Sequence, residues 1–230
     1  MEKEIIKVQF GIFFNRLARP DLISSSIANQ FTDIFDAPLI NLPLPPSAPD
    51  KIPSSQLKSL DNIWNINISR IRLDIIFEPR SKSDYSSVEE INKMKEIIKF
   101  CHGEIKKQSS EINRATNIAI YVSEQENPAE FISKAFAIKT INNLKELKIR
   151  FNQKEINEKF EINNITDIES KELIKKENTN NTKKIKALFI VKDVNTVQNK
   201  EKKFSEEELD NFFEISKEYI SFDSIKSFFE

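Results

Sequence analysis

Eighteen phenylalanines stand against two glycines and one histidine in this chain of 230 residues. Rings in that number demand a large, continuous apolar interior, because each buries on the order of 150–250 Å² when it leaves water. The same imbalance excludes common chemistries. Gly11 and Gly103 are the only residues without a Cβ, so a glycine-rich loop that cradles phosphates has no material here. His102 is the single histidine, the residue type on which most proton-shuttling sites rely.

Charge narrows the field further. Thirty-five basic residues nearly balance thirty-six acidic ones, for a net charge of −1. No global basic field exists to hold nucleic acid over the whole surface, although a local patch is left open. A lone cysteine, Cys101, cannot form an intramolecular disulfide, which fits a reducing compartment. Met1 to Ile6 lacks the basic start and apolar core of a signal peptide, and no apolar run reaches the roughly 18 residues of a membrane span. The expectation is a bacterial-type cytoplasmic protein that needs no membrane and no cofactor.

Periodicity gives the order of elements. Ile6, Val8, Phe10, Ile12 and Phe14 alternate on one face of a strand. Pro20 opens a helix with Ile23, Ile27, Phe31, Ile34 and Phe35 on one stripe, ending at Asp36–Pro38. Six of the nine prolines fall between Pro38 and Pro53, where Pro43, Pro45 and Pro46 predict a stiff, extended connection. From Ile63 to Phe77 the alternation changes phase near Ser69–Arg70, which a bulge or a tight hairpin would explain. Ser87 and Glu90 mark a capping box before a helix carrying Ile91, Met94, Ile98, Cys101 and Ile105. A strand over 117–122 and a helix from Asn127–Pro128 follow. Two strands are then expected with a turn at Asn152–Lys154, and a polar, mobile stretch at 175–184. The near-continuous apolar run at 185–194 predicts a central strand with Leu188, Phe189, Ile190 and Val191 all buried. Ser205 and Glu208 cap a last long helix, and a shorter one carries Ile225, Phe228 and Phe229.

The fold class is therefore α+β: a mostly antiparallel sheet with helices on one side. The order is β-α-β-β-α-β, then helix–strand–strand–strand–helix. The chain reads as one compact unit over 1–230, or as two subdomains, 1–126 and 127–230.

The opening strand Val8–Phe14, the proline-containing segment, the strand Ala187–Val194 with its Asp193, the acidic-capped helix from Ser205 and the aromatic end resemble a family of uncharacterised, sporadically distributed bacterial proteins. The resemblance implies an α+β fold and a bacterial or mobile-element origin, and it implies no reaction. Family members often carry a histidine in the final helix, and this chain has none there.

Candidate sites are few. Cys101 and His102 are helix neighbours pointing about 100° apart, so they cannot pair as nucleophile and base. One cysteine and one histidine do not make a zinc site. Asp74, Glu78 and the Glu146-Leu147-Lys148 run are the material for a carboxylate–metal nuclease, but no aspartate occurs from Ser86 to Lys145. Asp193, inside an apolar strand, is the polar position that stands out, with a turn cap as its plain role. Arg70, Arg72 and Arg114 would form a cationic stripe if their strands adjoin, as in sheet-face binders of single-stranded RNA. Pro43, Pro45, Pro46, Phe228 and Phe229 are the candidates for contact with a protein partner or a second copy. The favoured expectation is a non-catalytic interaction or regulatory protein, for instance in a defence or toxin-neutralising system. A nucleic-acid-binding module is the first alternative and a nuclease the second.

Overall fold

In a computed structural model the protein is described over residues 3–79, 88–138, 144–156, 160–178, 181–197, 199, 201–221 and 223–226. One antiparallel sheet runs through these residues, nine strands wide, in the order β2-β3-β4-β5-β1-β6-β9-β8-β7. The strands are β1 (Lys3–Phe14), β2 (Ile40–Asn41), β3 (Ser55–Lys58), β4 (Trp64–Ile68), β5 (Arg72–Phe77), β6 (Ile112–Glu124), β7 (Lys148–Ile156), β8 (Glu161–Asn178) and β9 (Asn181–Thr196). The helices are α1 (Pro20–Gln30), α2 (Val88–Lys107), α3 (Pro128–Ala135), α4 (Glu206–Tyr219) and α5 (Asp223–Lys226). The α+β class is thus established. Because β6 pairs with β9, the sheet continues across position 126.

Alternation decides which face the helices cover. Phe10, Ile12, Ile66, Leu73 and Ile75 are fully buried on one face of the sheet. Phe10 meets Phe212 and Phe213 of α4 at 6.0 and 5.7 Å between ring centroids. Farther along, Phe136 after α3 lies 5.3 Å from Phe151 of β7. Helix α4 begins as its sequence predicts: the amide of Glu208 donates to Ser205 Oγ and the amide of Ser205 donates to Glu208 Oε2. Ser87, the expected cap of α2, lies outside the described residues.

Of the two explanations for the phase change at Ser69–Arg70, the hairpin holds: the amide of Ser69 donates to the Arg72 carbonyl, closing a turn between β4 and β5. Several other expectations need correction. Helix α1 stops at Gln30, and Phe31, Ile34 and Phe35 are buried in the turns beyond it. Asn152–Lys154 is not a turn but the middle of β7, since its alternation with β8 is unbroken from Lys148 to Ile156. The described residues of the polar 175–184 stretch are also paired, with Lys175 opposite Lys183 and Asn178 opposite Asn181. Polarity there does not mean the absence of strand pairing. Finally, β9 is interior and Leu188 and Ile190 are buried at 0% and 1% exposure, yet Phe189 and Val191 are only partly buried. They share the parity of Asp193 and face the side that no described helix covers. No described helix is long and apolar enough to cross a membrane.

Candidate functional site

The open face of the sheet gathers two of the three expected arginines. Phe13 of β1 is directly opposite Arg72 of β5 and Arg114 of β6. Their guanidinium carbons lie 4.6 and 5.0 Å from its ring centroid. Arg72 is neutralised by Asp74 at 2.7 Å, and Gln9 donates to the same carboxylate at 2.8 Å. Arg114 donates to Asn195 Oδ1 at 3.2 Å, and Asn195 in turn donates to Asp193 Oδ1 at 3.1 Å. Thr116 also donates to Asp193, at 2.8 Å. Asp193 is therefore not a turn cap, because β9 continues to Thr196. It is the acceptor that ties β6 to β9. Gly11 sits inside this network, where an added Cβ would fall 2.7 Å from the Thr116 methyl and 3.0 Å from Asp74 Oδ1. Here the glycine serves close packing.

Arg70 does not share that face. It lies in the β4–β5 turn and bonds Asp50 at 3.2 Å and the Pro46 carbonyl at 3.4 Å. The amide of Arg70 also donates to the Asp50 carbonyl. Arg16 reaches the same carboxylate at 3.0 Å. Burial works to raise the Asp50 carboxyl, and the two arginines outweigh it, so its pKa falls below the ordinary value. The proline segment is thereby clamped to the sheet. Pro43, Pro45 and Pro46 are exposed on it, and Ile40, Leu42 and Ile52 are 44%, 49% and 38% exposed. Phe228 and Phe229 lie outside the described residues. Ile225 of α5 is buried.

Sequence reasoning missed Lys192. It is 3% exposed on the helix-covered face of β9, donating to Asn164 Oδ1 at 2.8 Å and Thr166 Oγ1 at 2.9 Å. Burial pushes its pKa down to about 8, against a smaller opposing pull from Glu155. Glu155 itself accepts the Tyr219 hydroxyl, which is held up at about 12 by that bond. The signal was available: Lys192 has the parity of Leu188, Ile190 and Val194, so alternation assigns it to the buried face.

Cys101 is fully buried and its thiol is pushed up by desolvation. His102 Nε2 lies 3.2 Å from the Phe204 carbonyl, joining α2 to the entry of α4. Asp74 and Glu146 belong to opposite parts of the sheet. Five strand steps separate β5 from β7, or roughly 24 Å. Among the described residues no three His, Cys, Asp or Glu side chains converge as metal ligands. No protein-family model matches the chain, and no curated protein matches it.

Proposed function

We propose that the chain is a non-catalytic protein-recognition module and that the proline segment at 38–53 is its docking element. One observation carries this reading: apolar side chains that would gain from burial are held out at an edge of the sheet by a fixed clamp. Ile40, Leu42 and Ile52 project from a segment that Arg70 and Asp50 anchor. Preorganisation lowers the ordering cost of binding, and each apolar side chain that becomes buried contributes on the order of 1.5–3 kcal/mol. The arginines favour this reading over the nucleic-acid one. Arg72 already has its carboxylate, and both guanidinium groups occupy the Phe13 ring that a base would need for stacking. The cytoplasmic, bacterial and defence-system setting belongs to the same proposal.

The test is quantitative capture from cells that express the protein natively, comparing wild type with the triple variant Ile40→Ser, Leu42→Ser, Ile52→Ser. Specific partners are expected to fall at least about tenfold with an unchanged melting curve, since these side chains are exposed. Recovery of the same proteins in the same amounts would remove the segment as the docking element.

A further inference from the structure

The sheet's other edge is β7, and among the described residues no backbone group bonds to its outer side. It is nine residues long and contains neither proline nor glycine. Ile149 and Phe151 lie half-buried on the covered face. On the open face Lys148, Arg150 and Lys154 have side chains 55%, 58% and 65% exposed. Strand β8 shows what pairs with such a strand. Its Glu169, Asp167 and Glu161 meet the three cations at 3.9, 2.8 and 3.4 Å. Its Ile168 and Thr166 lie opposite Ile149 and Phe151.

We infer that β7 accepts an extended segment of a protein partner as a tenth strand, with acidic residues on one face and apolar residues on the other. The amides and carbonyls of β7 that face away from β8 supply the ladder, as in strand addition generally. The cations select the occupant: each meets one β8 carboxylate yet keeps more than half of its side chain exposed, against 32% for Arg72 beside Asp74, which leaves room for a second carboxylate. A second copy pairing antiparallel about Asn152 would set Arg150 against Lys154, and that like-charge contact rejects it. An acidic strand repeats on the outer side the complementarity that β8 provides on the inner one. The inference rests on the protein-recognition reading and gives the partner its chemistry.

Four labelled probes test it by fluorescence anisotropy on the full chain. They are a ten-residue peptide alternating Glu and Val, its Lys/Val counterpart, a Glu/Val peptide N-methylated at alternate residues, and a single-stranded RNA. The Glu/Val peptide is expected to bind at least about tenfold tighter than the Lys/Val peptide at about 50 mM salt, with the gap shrinking at about 500 mM. N-methylation removes ladder donors and should cost at least about tenfold. In the variant Lys148→Glu, Lys154→Glu, checked for an unchanged melting curve, the preference should reverse. The inference is overturned by absence of Glu/Val binding at millimolar concentration, by equal binding of the N-methylated twin, or by RNA binding that the charge-reversed variant loses in place of peptide binding. Any of these with capture by the proline segment intact removes the β7 site alone. Strand addition at β7 with capture unaffected by the triple variant removes the proline segment alone.

Discussion

The two edges of the sheet end it in opposite ways. At β2 the edge is two residues long and bracketed by Pro38 and Pro43, with Pro45 and Pro46 beyond. Proline has no N–H, so this edge is a poor template for another strand and offers side chains instead. At β7 nine residues without proline keep every N–H, those not bonded to β8 face outward, and three of the five side chains on one face are cationic. One edge thus suits recognition through apolar side chains held by a clamp, and the other suits recognition through the backbone. A single sheet can present both because its fully buried residues lie on the strands between the two edges.

That contrast fails if the interior is soft. Leu188→Ala in β9 should cost about 2–5 kcal/mol in urea melts, as truncation of a fully buried leucine does. A loss under about 1 kcal/mol would show that the strand joining the two edges is not tightly packed.

Lys192 sharpens the comparison, because it lies on the half of the sheet that leads to β7. Its pKa falls from 10.5 to about 8 on folding. Between those values the unfolded chain holds a proton that the folded chain has released, so this group's destabilising contribution fades as pH rises. The stability of wild type relative to Lys192→Met should therefore increase by up to roughly 3 kcal/mol from about pH 8 to about 10.5. A flat difference would contradict the buried, weakly compensated amine.

Midway between the edges, Gly11→Ala should cost about 1–3 kcal/mol, because the new methyl has no room against Thr116 and Asp74. A neutral result would mean that β1, β5 and β6 shift freely at the Arg–Phe–Arg row. Smallest of all, Ile40→Ser, Leu42→Ser and Ile156→Ser should each change stability by less than about 0.5 kcal/mol. A larger loss at any of them would make that edge a structural element rather than a recognition element.

Much of this architecture is legible in the residues. The alternation of Val8, Phe10, Ile12 and Phe14, the Ser205–Glu208 capping box and the apolar stripe of α2 state their elements directly. Parity failed where composition overruled it. Leu188 to Val191 read as buried on both sides because all four are apolar, yet only alternate positions are covered. Lys192 went unremarked because a lysine is expected outside, although its parity places it inside. The 175–184 stretch lacks the apolar residues that announce a strand, and its pairing follows from the hairpin that continues β8 into β9. The sequence places Arg72 and Arg114 in one row only if their strands adjoin, whereas β1 lies between β5 and β6 and the two meet across Phe13. Phe13 between them, and the clamp made by Arg70 on Asp50, depend on contacts too distant in sequence for local pattern to show.

Site-specific photo-crosslinking tests the central claim most directly. p-Benzoylphenylalanine is placed at Leu42 on the proline segment, at Ile156 at the end of β7, and at Leu22, which is 50% exposed on α1 and belongs to neither edge strand. Protein adducts should form in cells at Leu42 and Ile156 and be competed away by excess unlabelled wild type, while Leu22 yields none. Equal adducts from Leu22, or adducts to nucleic acid rather than protein at the two edge positions, would contradict the account.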